Sequence, residues 1–279
     1  MVVKDLVIGC ADLYDWPNVK AWAKSIIESG FKGDIVLLCY RVTEDLVLEC
    51  QKLGIQCYDC NFMPDGSPIV HDVQGKNTIS HQLRFYHIWK YLQDNNYFKV
   101  IITDIRDVIF QKDPSNFKWV GSDIFYPSEC ISFGNEPWNK NNLIQAFPEF
   151  YTEKINDWTV YNVGTVIGFY KAMKLLSKMI YIMGNGRTIP NDQAAFNIIA
   201  NEVWRPQLNT GVDNMGWACQ CGVVLDPEKS HLLPYVHEKE FIPTIKDGKV
   251  LNHYGQPYFL VHQYDRNPEL KKCIEERYA

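Results

Sequence analysis

The sequence predicts an α/β protein, a parallel sheet flanked by helices, on three observations. Short apolar runs of strand length alternate with longer segments of helical spacing. Several of those runs are almost wholly apolar, as strands covered on both faces are. Their order is βαβαβ and then αβ, for which right-handed crossovers onto one sheet are the expected connection.

In chain order, Leu6 to Cys10 reads as the first strand. Asn18 to Ser29 is helical, with Val19, Trp22, Ala23, Ile26 and Ile27 on one face and Gly30 closing it. Ile35 to Tyr40 is a second strand, Thr43 caps a helix running to Leu53, and Ile55 to Tyr58 is a third, short strand. Asn77 to Leu92 is helical and leads into a strand at Val100-Ile101-Ile102. Beyond Pro114 the pattern loosens. Asp123 to Tyr126 and Val163 to Phe169 read as strands, Lys171 to Met183 and Asn191 to Val203 as helices, and Tyr258 to Val261 as a last strand. No repeat, low-complexity tract or Pro/Ser-rich linker interrupts the chain, so one domain is expected over 1–279, with its halves meeting near Pro114.

A chain of 279 residues, 46% hydrophobic and 22% charged, is expected to bury a full core. Its net charge of -5 and lack of a Lys/Arg block argue against nucleic acid or an anionic membrane as partner. The opening MVVKDLVIGCADLYDW is a strand and a polar loop rather than a signal peptide, and no apolar stretch approaches the ~18 residues of a membrane span. A soluble, cytoplasmic protein is therefore expected. The nine cysteines are odd in number, and most are expected to be reduced and packed as small hydrophobes. Cys57-x-x-Cys60 with Cys219-x-Cys221 is a weak zinc candidate.

The chemistry concentrates at VIITDIRDVIFQKDP, where Asp104 and Asp107 follow an apolar strand and so emerge at the mouth of a crevice. Two carboxylates there suit Mg²⁺ or Mn²⁺ shared with substrate phosphates, or else cap a turn. His262, in VHQYDR, ends the last strand and could complete the metal shell. His253, in NHYGQPY, competes for that role, and Gly255 would let backbone approach a phosphate. In Tyr161-Asn162-Val163-Gly164, Asn162 could both donate to and accept from a hydroxylated ligand, and Gly164 could leave room for a sugar ring. Asn-x-Gly is also turn punctuation. IPNDQAAF starts a helix capped by Asn191. Asp192 in its first turn suits the helix dipole or could take a proton from a substrate hydroxyl, and Gln193 could orient a sugar. Arg84, one turn after Ser80, suits a diphosphate or pairs with Asp104 or Asp107. Trp138, Trp158 and Trp217 could stack on sugars or fill the core.

The acidic motif, the Asn-x-Gly strand, the Asp-Gln helix start and the C-terminal His loop occur in an order that resembles the GT-A fold glycosyltransferases of glycogenin-like type, from Leu6 to Arg266. That family carries Asp-x-Asp where this chain has Asp-Ile-Arg-Asp. Alignment on the Val-Ile-Phe that follows matches Asp107 to the metal-binding last Asp, and Asp104 to the first with one residue inserted. The resemblance implies a Rossmann-like, mixed but mostly parallel sheet, with a nucleotide-sugar half at 1–114 and an acceptor half at 115–279. It implies Mn²⁺ or Mg²⁺ held by Asp104, Asp107 and His262, a UDP-sugar donor with UDP-xylose a candidate, and a glycan acceptor. The donor residues would be Gly9, Cys10, Ala11, Arg84, Asp104, Arg106, Asn162, Gly164, Gln193, His253 and Gly255, and the acceptor would meet Trp158 and Trp217. The overall sequence also resembles small glycosyltransferases of large algal viruses, chloroviruses, which build capsid glycans from their own genes, and this likeness would imply the host cytoplasm as location.

The mechanism this implies is metal-assisted glycosyl transfer with inversion, Asp192 being the general base. Under retention, Asp192 and Gln193 would bind sugar instead. A sugar nucleotidyltransferase would share the sheet but opens on a Gly-rich basic loop, unlike GCADLYDW. A non-catalytic nucleotide- or glycan-binding protein would be indifferent to metal, and a zinc-stapled interaction protein would hold zinc.

Overall fold

The structure is a computed structural model that describes residues 3–69, 78–187, 189–203, 216–237 and 242–279. The first part runs β1 (Leu6–Asp12), α1 (Trp16–Glu28), β2 (Asp34–Tyr40), α2 (Glu44–Lys52), β3 (Gln56–Asp59), α3 (Thr78–Asp94), β4 (Lys99–Thr103) and β5 (Val108–Phe110). The second continues with β6 (Ile124–Phe125), β7 (Ser128–Ser132), α4 (Pro137–Ala146), β8 (Thr159–Tyr161), β9 (Thr165–Phe169), α5 (Tyr170–Gly184) and α6 (Asp192–Ile198). It closes with β10 (Ala218–Gln220), α7 (Cys221–Val224), β11 (Thr244–Lys246), β12 (Lys249–Leu251), β13 (Leu260–His262) and α8 (Pro268–Arg277). The expected helix start at Asn77 lies outside the described residues.

Six strands form the main sheet in the order β3-β2-β1-β4-β9-β6. The first four in that row are mutually parallel, but β9 runs antiparallel to both β4 and β6. The sheet is thus the mixed, mostly parallel one that the resemblance implies, while element order alone had pointed only to its parallel part. Apolar periodicity reports burial of a strand and carries no information on its direction. Alternate residues feed two cores: Leu6, Ile8, Val36 and Ile102 face one, Val7, Ile35, Leu37 and Ile101 the other. That is why these runs are apolar throughout.

A second sheet, β10-β13-β5, positions the site. Its registers set His262 opposite Val108, the residue after Asp107, and Gln220 beside His262. β10 and β5 did not stand out in the sequence because three-residue strands show no period. α1 begins at Trp16, earlier than expected, because Asp15 and Asn18 cap each other's backbone N–H groups at 3.3 Å. α6 ends at Ile198 and widens into a π turn over Ile199–Val203. Asn191 does not cap it with its side chain, which donates to the carbonyls of Gly184 and Ile189.

All nine cysteines are free. Among the described residues, no cluster of three potential metal ligands includes one, so the zinc reading falls. No described helix is long and apolar enough to cross a membrane.

Candidate functional site

β4 ends at Thr103, and the next four residues turn into β5. Ile105 drops into the core, which leaves Asp104 and Asp107 on either side of it at the crevice. The turn is pinned at both ends: the Asp104 N–H donates to Gly164 O at 2.8 Å, and the Gln263 N–H donates to Asp107 O at 2.7 Å. A Cβ on Gly9 would stand 2.3 Å from Ile105 Cγ2. The absent side chain of Gly9 therefore lets Ile105 pack beneath the turn.

His262 enters from β13 with Nε2 at 3.3 Å from Asp104 Oδ2 and 3.6 Å from Asp107 Oδ1. One ligand atom from each of the three side chains lies within 4.8 Å of the others. On the far side of the ring, Nδ1–H donates to Gln220 Oε1 at 2.6 Å, and Gln220 Nε2 donates to Thr165 Oγ1 at 2.8 Å. An amide oxygen only accepts, so this bond fixes the proton on Nδ1 and leaves the Nε2 lone pair of the neutral ring facing the carboxylates. Two carboxylates and one imidazole, with no thiol, form a donor set that could hold a divalent cation. A Cβ on Gly164 would lie 2.6 Å from both Asp104 Oδ2 and His262 Cε1. The room that Gly164 leaves is thus taken by the cluster, not by a sugar ring.

Charge holds the cluster together. Burial opposes ionisation of Asp104, but Arg84 and then His262 outweigh it, and its carboxyl titrates well below the usual range. Burial likewise opposes charge on His262, yet Asp107 and Asp104 push its pKa up to about 10. A cation here would displace that proton.

Arg84 links this cluster to α6. Its two terminal nitrogens donate to Asp104 Oδ1 and to Asp192 Oδ2, each at 2.5 Å. It is therefore committed to carboxylates rather than free for a diphosphate, and its other expected partner, Asp107, is not one of them. Asp192 has a partner on each oxygen: Oδ2 also faces His81 Nδ1 at 3.5 Å, and Oδ1 accepts the Gln193 N–H at 3.0 Å. Burial works against its charge, but Arg84 and then His81 prevail and lower its pKa. Its oxygens are thus shared with Arg84, His81 and the Gln193 N–H before any substrate arrives, which weighs against the general-base role expected of Asp192.

Beside it, Glu129 gathers three amides. Its Oε1 accepts from Asn162 Nδ2 at 3.0 Å and from Gln193 Nε2 at 2.9 Å, and its Oε2 accepts from Asn139 Nδ2 at 3.2 Å. Burial is the largest cause of the raised pKa of Glu129.

Two clefts meet at Asp104, Arg84 and His81. The first, about 280 Å³, is also lined by Cys10, Asp12, Tyr14, Ser80, Arg106 and Asp107. The second, about 570 Å³, takes in Asn162, Asp192, Gln193 and His262. Ala11 is fully buried and lines neither. His253 and Gly255 sit in the turn after β12 and line neither, which leaves His262 as the histidine of the cluster. Trp158 is 4% and Trp217 1% exposed, both in the core, so neither meets an acceptor. Trp217 instead donates to Thr165 O at 2.8 Å. Sequence reasoning passed over Asp12, Tyr14, His81, Glu129, Asn139 and Gln220. Only Asp12 carried a usable signal, being an acid just past an apolar strand, as Asp104 is.

No family model matches the sequence, and no curated protein matches it. Solved structures do. The bifunctional glycosyltransferase WbbM, in its apo form, is similar over 100% of this chain and 51% of its own, at TM-score 0.62 and 13% identity. The apo glycosyltransferase GlyE of Streptococcus pneumoniae TIGR4 is similar over 94% and 55%, at 0.50 and 10%. The galactosyltransferase LgtC, in complex with donor and acceptor sugar analogues, is similar over 98% and 95%, at 0.51 and 11%. The chain thus spans about half the length of WbbM and GlyE. These likenesses establish the fold: the chain has the GT-A fold seen in glycosyltransferases.

Proposed function

We propose that this chain is a metal-dependent glycosyltransferase, moving a sugar from a nucleoside-diphosphate donor, the UDP-sugar that the resemblance implies, to a hydroxyl group. The observation that carries this reading is the convergence of Asp104, Asp107 and a tautomer-fixed His262 where two clefts meet, on a fold shared with glycosyltransferases. When bound, Mn²⁺ or Mg²⁺ would neutralise the diphosphate leaving group.

The chain's own residues do the rest. Arg106, half exposed at the first cleft and 3.8 Å from Asp107, offers a further positive charge to the donor phosphates. Arg84 is a positioning residue, keeping Asp104 and Asp192 a fixed distance apart. Asp192 and Gln193, held by Arg84 and Glu129, would accept and donate hydrogen bonds to donor sugar hydroxyls. With the engagement of Asp192 weighing against a base role, retention is the better-supported outcome. The acceptor hydroxyl attacks from the face that the diphosphate leaves, the bond from the anomeric carbon to the phosphate oxygen breaks as the new glycosidic bond forms, and the hydroxyl proton passes to the diphosphate.

Two measurements test this. Melting temperature against a panel of nucleoside diphosphates and nucleotide sugars, with and without Mn²⁺, should rise for one nucleotide only when metal is present, and not in Asp107→Ala. Stabilisation indifferent to Mn²⁺ and EDTA would indicate a non-catalytic binder instead. Proton NMR of the first-formed product should show the donor's anomeric configuration, and an inverted product would return the base role to Asp192.

A further inference from the structure

The second cleft runs from the metal-ligating cluster to the start of α4, and its floor and rim differ in chemistry. The floor is the buried amide set around Glu129, in which Gln193 Nε2 and Asn139 Nδ2 each serve two acceptors already, leaving one N–H on Asn162 Nδ2 and a second lone pair on each amide oxygen for a ligand. The rim carries Trp138, 60% exposed beside the buried Asn139. Single exposed apolar side chains are ordinary on a protein surface, but among those of the described residues Trp138 is the one that lines this cleft, where its ring offers a flat apolar face. The helix start that carries it is fixed: Glu136 caps α4, its buried Oε2 accepting the Asn139 N–H at 2.6 Å and Asn139 Nδ2 at 2.9 Å.

The cations of the cleft are already matched. Arg84 holds Asp104 and Asp192, Lys229 Nζ lies 3.5 Å from Glu136 Oε1, and Arg266 Nε lies 3.7 Å from Asp265 Oδ1. Asp226 and Glu228 add negative charge at the same rim. A phosphate or carboxylate entering here would meet acids and paired bases, whereas an uncharged sugar would meet what it needs. A pyranose has an apolar C–H face that suits an aromatic ring and hydroxyl edges that suit amides and carboxylates.

We infer that the second cleft binds an uncharged pyranoside as the acceptor, its ring face on the Trp138 indole and its hydroxyls on the amides around Glu129. This rests on the transferase reading and adds the substrate class and the residue that selects it.

Saturation-transfer NMR tests it, with UDP and Mn²⁺ present. The probes are methyl glucoside, methyl galactoside and methyl xyloside, against methyl glucuronide and glucose 6-phosphate. At least one neutral glycoside should receive saturation on its ring protons, and the anionic sugars should not. Trp138→Ala, which should melt as the wild type does because the side chain is exposed, should bind that glycoside about tenfold more weakly, with Trp138→Phe recovering most of the loss. If UDP and Mn²⁺ fail to stabilise the wild type, the transferase reading falls and takes the inference with it. If they do stabilise it, the inference alone is overturned by neutral glycosides making no contact, by contact that survives Trp138→Ala, or by equal contact with the anionic sugars.

Discussion

At the scale of single residues, the site depends on groups that do no chemistry. Gln220 sets the tautomer of His262, and Gly164 is the absent side chain that lets Asp104 and His262 approach. Gly164 is not among the glycines with positive φ, so Gly164→Ala should fold, but its methyl group must push the Asp104 and His262 side chains apart. Mn²⁺ affinity by titration calorimetry should fall about tenfold or more. An unchanged affinity would mean that these side chains do not ligate the ion together. The role of Gly164 was not legible in the sequence, where Asn-x-Gly reads as a turn or a sugar contact. Which atoms crowd a glycine depends on strands remote from it in the chain.

At the scale of elements, long ones were legible and short ones were not. β1, β2 and β4 each reach both cores, and α1 shows its buried face at Val19, Trp22, Ala23 and Ile26. Such patterns repeat often enough to be read. The three-residue strands β5, β10 and β13 form the sheet that delivers His262 and Gln220, and only β13 was anticipated, as an apolar run before a histidine. Helix ends follow local chemistry and can be tested locally. Asp15→Ala removes the side-chain bond to the Asn18 N–H and should cost about 1 kcal/mol in urea unfolding, with nucleotide-dependent stabilisation intact. A loss well below that would mean that packing of Trp16 and Trp22 sets the start of α1 by itself.

At the scale of the whole molecule, stability should depend on pH through a buried group far from the chemistry. His87 on α3 is buried, with Nδ1 2.6 Å from the Tyr40 hydroxyl on β2, and burial pushes its pKa down from 6.5 to about 4. The unfolded chain therefore binds the proton first as pH falls. The stabilisation is fully present above pH 6.5 and is lost toward pH 4, in total on the order of 3 kcal/mol. Urea midpoints at pH 7 and pH 4.5 should draw closer together in His87→Gln than in the wild type. Identical shifts in both would assign the acid sensitivity to other groups. The fold class, the acidic pair, His262 and the Asp-Gln helix start could all be read from the chain, because each announces itself within a few neighbouring residues through periodicity or strand-end position. The direction of β9, the engagement of Asp192 by Arg84, the burial of Trp158 and Trp217 and the exposure of Trp138 could not. Each depends on which segments, distant along the chain, come to lie within a few ångströms of one another, and no local pattern of residue types encodes that distance.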